Sequence, residues 1–284
     1  MKLQQVCEID SYFCNCILID NYHRYSMNTD SIKITFLGTG TSQGVPMLLS
    51  EEPVNLSKDA KDKRLRSSVL LSWNDKNFLI DCGPDFRYQM LRAQVKSLSA
   101  IFFSHEHSDH IAGLDDIRPY CYQQGALPIY AQERVMLALE KRYDYIFAKE
   151  NRYPGAAQIV EHVLDGSPFE IQGAQIVPIQ VMHGSLEILG YRLGKVAYLT
   201  DVKTLEEKEK EKLQDLDVLV VSALRITPHP THMNLEEALV LIKELKPKRA
   251  YLTHISHRLG FHAEVSKQLP DNVFLSYDGL VVEN

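Results

Sequence analysis

The sequence predicts a mixed α/β fold in which two β-sheets are flanked by helices. Pairs of apolar, strand-like segments come first in each half of the chain, and helical patterns intervene later. Several of the predicted strands end directly in a histidine or an aspartate. Because strand ends of one sheet converge on one edge, where functional sites usually form, the same pattern predicts a site at that edge.

The elements follow from short apolar runs and from helical spacing along the chain. Strands are predicted near residues 32–37, 67–73, 77–81, 100–104, 128–131, 174–181, 187–193, 196–200, 217–222, 249–253 and 272–276. Helices are predicted near residues 85–94, 111–118, 131–142, 204–212, 234–245 and 261–268. The helix near 234–245 is the best marked, since Asn234-Leu235-Glu236-Glu237 resembles a capping box and Lys246-Pro247 ends it.

Residues 31–284 are predicted to form one domain, since no linker, repeat or low-complexity stretch divides them. Residues 1–30 differ from the rest and are predicted to be a poorly ordered N-terminal extension. Their apolar patch, Cys16-Ile17-Leu18-Ile19, is too short for the core of a signal peptide. We hypothesise that Met27 is the natural start, which the intact mass of protein from the native host tests.

Composition disfavours two classes of partner. The formal net charge is −6, from 31 basic and 37 acidic residues, so no global basic field attracts nucleic acid. No apolar run approaches the length that spans a membrane, and no membrane partner is expected. The five cysteines are odd in number and form a poor disulfide framework, which indicates a reducing, cytoplasmic setting.

The run His105-Glu106-His107-Ser108-Asp109-His110 offers four metal-ligating side chains directly after a predicted strand. His105 and His107 lie two residues apart, so in an extended backbone they point the same way and can share one ion. Asp109 can cap the following helix or supply an oxygen ligand to a second ion. A His/Asp set without thiolate suits Zn, Mn or Fe.

Three further ligand candidates, His183, Asp201 and His254, each stand at the end of a predicted strand. Any one of them alone is more typical of a capping or core-edge residue. With the first cluster they form a set large enough for two ions, and this interpretation is the stronger one.

The ordered set of Asp81, the 105–110 run, His183, Asp201 and His254 resembles the metallo-β-lactamase superfamily, over residues 32–284. The resemblance implies a four-layer αββα sandwich with a binuclear metal site on one edge. It implies that the first ion is held by His105, His107 and His183, and the second by Asp109, His110 and His254. Asp201 would bridge the ions, and Asp81 would orient their ligands.

Finer motifs resemble one branch of this superfamily. Asp201 stands where the lactamases usually have a thiolate, as in the phosphodiesterase, ribonuclease Z and glyoxalase II branches. Residues 36–46, 229–238 and 252–257 resemble the branch with the cyclic phosphodiesterase of phosphonate breakdown, which opens phosphoribosyl cyclic phosphate. There the counterpart of His232 contacts the phosphate, and its place before a helix N-terminus suits anion binding.

The chain departs from that branch at one point. Its members often carry three cysteines after the glycine loop, and these bind a structural zinc together with the counterpart of His257. Ser50, Glu52 and Asn55 stand at those positions here. No structural zinc is therefore expected, and the loop 47–63 is expected to be more mobile or packed by other contacts.

These observations predict a binuclear metal-dependent hydrolase, a phosphodiesterase that acts on a small cyclic or diester phosphate. Two divalent ions, Mn²⁺ or Zn²⁺, would bridge a water and supply hydroxide for attack on phosphorus. Catalytic roles are assigned to His232, Asp109 and Asp81, with Arg225 a further candidate to offset phosphate charge. Arg64 and Arg66 are interpreted as surface charges, with phosphate contact the alternative.

Three alternatives stay open: a ribonuclease Z-like RNA 3′-processing endonuclease, a thioester hydrolase, and a non-catalytic metal-binding module. The segment 141–153 interleaves basic and aromatic residues and is the nearest candidate for an RNA-gripping arm. A helix end packed on the domain or at a dimer interface is the favoured interpretation of it. The sequence leaves a homodimer open, and nucleic acid is a less favoured partner than a small phosphodiester.

Overall fold

Two seven-stranded sheets form the centre of the protein, in a computed structural model that describes residues 31–284. The first sheet contains β1 (Lys33–Gly38), β2 (Ser68–Trp73), β3 (Lys76–Ile80), β4 (Ala100–Phe102), β5 (Leu127–Gln132), β6 (Ile159–Leu164) and β14 (Val281–Glu283). The second contains β7 (Phe169–Ile171), β8 (Ala174–His183), β9 (Leu186–Leu193), β10 (Val196–Leu199), β11 (Val218–Ser222), β12 (Arg249–Thr253) and β13 (Val273–Leu275). The predicted N-terminal extension and the Met27 hypothesis lie outside the described residues.

The two sheets repeat one pattern. In the first, with order β14-β1-β2-β3-β4-β5-β6, the strands are antiparallel as far as β3 and parallel from β3 to β6. In the second, with order β13-β12-β11-β10-β9-β8-β7, β7 to β10 are antiparallel and β10 to β13 are parallel. Parallel neighbours need crossover connections, which place helices on the sheet faces.

Those helices lie on the outer faces of the two sheets. They are α1 (Phe86–Ala93), α2 (Ser108–Ile111), α3 (Arg118–Gln124), α4 (Glu133–Arg142), α5 (Asp144–Phe147), α6 (Glu207–Glu211), α7 (Leu235–Leu245) and α8 (His262–Val265). Short 3₁₀ helices lie at Ala60–Asp62, Leu114–Ile117, His257–Leu259 and Ser266–Gln268. Within residues 31–284, no helix has the length and apolar content that crossing a membrane requires.

Because side chains alternate along the strands, the core has three apolar layers, one between the two sheets and one between each sheet and its helices. In β4, Phe102 packs between the sheets with Tyr191, whereas Ile101 packs under the helices of the first sheet. In β10, Tyr198 faces the space between the sheets and Leu199 faces the helices of the second. Because successive side chains of a strand point to opposite faces, both sheets are covered on both sides. The predicted αββα sandwich is confirmed.

Most predicted elements are present: the helices are shorter than predicted, whereas β5, β8 and β9 are longer. The capping box is confirmed, since Asn234 Oδ1 accepts from the Glu237 backbone N–H and the Glu237 carboxylate accepts from the Asn234 backbone N–H. The prediction of one helix near 111–118 was wrong: α2 and a 3₁₀ turn occupy 108–117 and α3 follows. Strands β6, β7 and β14 and helix α5 were missed.

Phe102 is a direct test of the packing between the sheets. Its ring is 1% exposed and lies 5.2 Å from the Tyr191 ring and 5.7 Å from the Phe78 ring. We expect Phe102→Ala to lower the free energy of unfolding by about 3–5 kcal/mol, because a cavity replaces these contacts. Urea titration measures it, with Phe274→Ala on a half-exposed ring as the control. Equal losses in the two variants would show that the sheets do not pack through Phe102.

Arg64 is buried, so its interpretation as a surface charge was wrong. Its guanidinium donates to Thr39 Oγ1 at 2.8 Å and to the Ser276 carbonyl at 2.7 Å, and it lies 3.3 Å from His262 Nδ1. Each contact joins the 64–66 segment to an element distant in sequence. Arg64 therefore holds the loop before β2 in place, with its guanidinium buried among protein partners.

His262 gives the fold a predicted sensitivity to acid. Burial, together with the positive charges of Arg64 and Lys61, lowers the pKa of His262 to about 4. An unfolded histidine has a pKa near ~6.5, so the unfolded chain binds a proton between these values and the native chain does not. The free energy of unfolding should therefore fall as the pH drops from about 6.5 to about 4. Urea titrations near pH ~7 and pH ~5 should show a smaller loss for His262→Gln than for the parent protein; equal losses would exclude this source of acid sensitivity.

Candidate metal centre

The 105–110 run connects β4 to α2. His105 and His110 are fully buried, Asp109 is 9% exposed, and His107 is exposed. His107 is the N-cap residue of α2, and Asp109 and His110 lie within that helix, with no side-chain capping bond. Of the two roles predicted for Asp109, helix cap and metal ligand, the structure therefore excludes the cap.

The other predicted site residues also stand at strand ends. His183 is the last residue of β8, and Asp81, Asp201 and His254 directly follow β3, β10 and β12. The last three have φ angles of +64°, +54° and +53°, in the left-handed region. Non-glycine residues there cost on the order of 1 kcal/mol or more, and such residues cluster at functional sites. The sharp turn at each strand end directs a polar side chain to the same place.

The structure brings all of the predicted ligands together. Among the described residues, four overlapping groups have ligand atoms within 4.8 Å of one another. They are His105/His107/His183, His105/His110/Asp201, Asp109/His110/His254 and His183/Asp201/His232. The first and third of these are the two ligand sets that the resemblance implied, although their binding of ions remains a prediction.

Asp201 lies between the two sets and offers one oxygen to each. Its Oδ2 is 3.9 Å from His105 Nε2, whereas its Oδ1 is 3.1 Å from His254 Nε2 and 3.5 Å from His110 Nε2. On the first side, His105 Nε2 lies 2.9 Å from His107 Nδ1. A carboxylate in this position can contact two ions at once.

Unpaired polar atoms test whether these residues fit metal ions. His110 Nε2, His232 Nδ1 and both ring nitrogens of His254 are buried without a hydrogen-bond partner. Burying an unsatisfied polar atom costs about 1–3 kcal/mol. Imidazole nitrogens and carboxylates, without thiolate, are the donor set that Zn, Mn and Fe(II) accept. The residues fit two divalent ions.

The charges of the cluster support the same conclusion. Burial disfavours protonated His110, yet the carboxylates of Asp201, Asp81 and Asp109 raise its pKa well above the usual value. Burial likewise disfavours ionised Asp201, yet His254 and His110 hold its pKa well below the usual value. The carboxylates thus stay ionised and demand positive charge, which a divalent ion supplies.

Hydrogen bonds orient several of the ligands. Asp81 accepts from His110 Nδ1 at 2.7 Å, as expected for an orienting carboxylate. His183 Nδ1 donates to the Thr231 carbonyl at 2.8 Å, and Thr200 Oγ1 donates to Asp201 Oδ1 at 2.6 Å. Sequence reasoning missed Thr231, because its contact joins a loop to a strand 48 residues away.

His232 lies against both ligand sets. Its ring is 4.5 Å from the His183 ring and 4.9 Å from the His254 ring, and its Nδ1 is 3.9 Å from Asp201 Oδ2. Burial, together with nearby His254, lowers the pKa of His232 to about 3. The ring is therefore neutral at neutral pH. His229, which sequence reasoning did not select, stands 5.1 Å from it at the rim.

Two other predicted contacts with substrate are not supported. The Arg225 guanidinium donates to the Thr227 and Pro228 carbonyls and so shapes its own loop. In the 141–153 segment, Tyr143, Ile146 and Phe147 are buried in the core beneath the helices of the first sheet. That segment packs on the domain, as the favoured interpretation held, and does not extend as an arm.

The 47–63 loop, which has Ser50, Glu52 and Asn55 in place of the branch's zinc-binding cysteines, is packed by other contacts. Asn55 Nδ2 donates to Ser50 Oγ at 2.6 Å, and Asn55 Oδ1 accepts from the Met47 backbone N–H at 2.8 Å. The Glu52 carboxylate lies 3.3 Å from His257 Nε2. Of the two outcomes expected for this loop, packing by other contacts is the one observed.

An αββα sandwich with two His/Asp clusters on one edge is the architecture of the metallo-β-lactamase hydrolases. The profile described as "Beta-lactamase superfamily domain" matches residues 76–255, and the chain belongs to this superfamily. It is a metal-binding hydrolase, and the predicted family is confirmed.

Three of the similar proteins match the chain over most of its length. A crystal structure described as a new diphosphatase from the PhnP family is 41% identical, with a TM-score of 0.84, over 89% of this chain and 97% of that chain. The ribonuclease Z of Bacillus subtilis is 24% identical over 322 residues, 88% of this chain and 98% of the relative. The octanoyltransferase of Porphyromonas gingivalis is 38% identical over 252 residues, 88% of this chain and 51% of the relative. The chain spans about half the length of the last protein.

Proposed function

We propose that this protein is a phosphodiesterase that uses two divalent ions, Mn²⁺ or Zn²⁺, to hydrolyse a small cyclic or diester phosphate. The observation that carries the proposal is Asp201, which presents one oxygen to each of two ligand sets while His232 lies against both. Oxygen and imidazole donors suit phosphate chemistry. The similarity to a diphosphatase of the PhnP family supports the same substrate class.

Each ligand set would hold one of the two ions. His105, His107 and His183 would hold one ion, Asp109, His110 and His254 the other, and Asp201 would contact both. When bound, the pair of ions would activate water at neutral pH and offset charge on the phosphoryl oxygens. Asp81 keeps His110 in the tautomer whose Nε2 faces the site, because its carboxylate accepts from Nδ1.

His232 is proposed to bind the substrate phosphoryl group. Its ring is neutral, and a neutral imidazole can still donate an N–H to an oxygen that gains charge in the transition state. The ring lies in the loop that precedes α7, two residues before the N-cap. Because the lowered pKa leaves no imidazolium at neutral pH, hydrogen bonding to the phosphoryl group is favoured over protonation of the leaving alkoxide.

The alternatives are weaker for stated reasons. A ribonuclease Z-like activity lacks the RNA-gripping arm among the described residues, since the 141–153 segment packs into the domain. A thioester hydrolase is supported only by the similarity to the Porphyromonas protein named octanoyltransferase, and the chain spans only about half of that protein. A non-catalytic module is disfavoured because every ligand position carries a metal-binding side chain.

A substrate panel separates these functions. The Mn²⁺-loaded protein is tested on bis-p-nitrophenyl phosphate, cyclic nucleotides, a ribose cyclic phosphate, a tRNA precursor and an octanoyl thioester. The proposal expects turnover of a diester or cyclic phosphate. Cleavage of the tRNA precursor alone would favour the nuclease, and turnover of the thioester alone would favour the acyl hydrolase.

Arg66 borders the second ligand set. Gly40 pairs with both Arg66 and Ile255, and Ile255 follows His254. Gly83 packs so tightly on the neighbouring turn that a Cβ there would lie 2.0 Å from the Asp109 carbonyl and 3.8 Å from the Arg66 side chain. The backbone and Cβ of Arg66 therefore lie near the turns that carry Asp109 and His254. We propose that its guanidinium reaches the substrate from there.

We expect Arg66→Met to raise KM about tenfold with little change in kcat, because a remote anion contact contributes uniform binding. The guanidinium is held by Asp85 at 3.3 Å and by the Ser42 carbonyl at 3.1 Å, and its second terminal nitrogen has no bond to the described residues. Steady-state kinetics on the best panel substrate measures the effect. Arg87→Met, on an exposed turn of α1, is the control, and an unchanged KM in Arg66→Met would remove Arg66 from the substrate site.

A further inference from the structure

Ser104 precedes the 105–110 run and is fully buried at the base of the centre. Its Oγ lies 2.8 Å from Asp81 Oδ2 and 2.9 Å from His105 Nδ1. The Ser104 backbone N–H also donates to Asp81 Oδ1 at 2.8 Å. The hydroxyl thus joins a ligand of the first set to the carboxylate that orients His110 in the second set.

The direction of the protons follows from the ring geometry. His105 Nε2 faces His107 and Asp201 and is the nitrogen that would contact an ion, so the ring proton lies on Nδ1. Nδ1 then donates to Ser104 Oγ, and the single hydroxyl proton of Ser104 donates to Asp81 Oδ2. Asp81 accepts a hydrogen bond from His110 Nδ1 directly, and it is linked to His105 Nδ1 through the Ser104 hydroxyl.

We propose that Ser104 is a positioning residue that couples both metal sites to one carboxylate. Asp81 braces the second site directly and the first site only through the Ser104 hydroxyl. The simpler role of a buried serine is a bond to a backbone carbonyl, as Ser276 makes with Leu252 at 2.6 Å. The Ser104 hydroxyl instead contacts side chains of the centre: Asp81 and His105 at 2.8 and 2.9 Å, and His110 Nδ1 only at 3.5 Å. The short bond of His110 Nδ1 is the one to Asp81, at 2.7 Å. The inference rests on the proposed metal centre and is independent of the substrate.

This arrangement makes an unequal prediction for the two sites. Removing the hydroxyl leaves His105 Nδ1 without its acceptor but leaves the bond between His110 and Asp81 in place. Partners that orient metal ligands typically contribute about 10–100-fold to metal affinity. Ser104→Ala should therefore weaken the first site by this factor and the second site much less. Ser104→Thr, which keeps the hydroxyl, should restore the first site.

The experiment isolates each site in its own background. His254→Ala removes a ligand of the second set, and His183→Ala removes one of the first. Zn²⁺ affinity is measured by chelator competition in each background, with and without Ser104→Ala, as a double-mutant cycle. The matched control is Ser276→Ala, at an equally buried serine whose hydroxyl donates to the Leu252 carbonyl and, among the described residues, to no ligand side chain.

The expected result is a Kd for Zn²⁺ that rises about 10–100-fold on Ser104→Ala in the His254→Ala background, with recovery in Ser104→Thr. In the His183→Ala background the same change should be several times smaller. Equal effects in both backgrounds, or an effect no larger than that of Ser276→Ala, would overturn the inference. Absence of Zn²⁺ binding by the parent protein would overturn the metal centre itself, whereas binding without phosphodiester turnover would affect only the proposed function.

Discussion

Asp201→Asn is expected to lower kcat/KM on a phosphodiester by about a thousandfold or more, the largest effect of any single change considered. The amide is uncharged and offers one oxygen, so it cannot present a carboxylate oxygen to each ligand set. Asparagine also tolerates the left-handed backbone conformation that Asp201 adopts at φ +54°. The loss should therefore come from the site and not from strain.

The control for this change is Asp75→Asn, an exposed turn residue with φ +61°. Metal content by inductively coupled plasma mass spectrometry should fall in Asp201→Asn from two ions per chain towards one. Asp75→Asn should keep both the ions and the activity. Full turnover in Asp201→Asn would revive the non-catalytic interpretation of the metal cluster.

His232→Ala has the second largest expected effect. Loss of a hydrogen bond to charge that develops in the transition state typically lowers kcat by about 10²–10³-fold. Because His232 is assigned to the substrate and not to an ion, we expect the variant to keep two ions per chain. Steady-state kinetics and metal analysis on the same preparation separate these effects.

The ion count is decisive here, because His232 also shares a ligand group with His183 and Asp201. A variant that lost an ion along with activity would make His232 a metal ligand, against the assignment. His162→Ala is the control, since that ring stacks on Tyr130 at 4.4 Å on the edge strand β6. It should leave both kcat and ion content unchanged.

The ligand positions were predictable because they carry a local signal. His105, His107, Asp109 and His110 stand in one short run, and the remaining candidates each follow an apolar strand. Strand ends of a single sheet were expected to converge, whereas the 105–110 run follows β4 of the first sheet and the other ligands end strands of the second. The grouping into two sets came from the resemblance to the superfamily. The alternation that separates Phe102 from Ile101 likewise follows from the period of a strand.

Other features had no such signal. The contact of Thr231 with His183 and the burial of Arg64 depend on tertiary contacts between distant segments. Strand β6 was missed because it lies at a sheet edge, where exposed residues such as Val160 and Val163 blur the pattern of burial. Left-handed conformations at Asp81, Asp201 and His254 are set by the turns they close and cannot be read from residue type.

Arg225 shows how a residue near a site can mislead. Its charge and its place in the 225–234 loop favoured phosphate binding, but two loop carbonyls take its guanidinium donors. Arg66, interpreted as a surface charge, is partly exposed and paired with Asp85, and its contact with substrate is a proposal. In each guanidinium two of the three nitrogens are bonded to described residues, and the partners differ: Arg225 donates to carbonyls of its own loop, whereas Arg66 is paired with the Asp85 carboxylate. Only the folded chain decides these partners.

The two-ion phosphodiesterase is tested most directly by the rate of bis-p-nitrophenyl phosphate hydrolysis as Mn²⁺ is added to metal-free protein in known ratio. Little activity is expected at one ion per chain, with a rise to a plateau at two, because Asp201 would position both ions for one reaction. The plateau should be absent in Asp201→Asn. Full activity at one ion per chain, or activity that does not depend on metal, would contradict the two-ion phosphodiesterase.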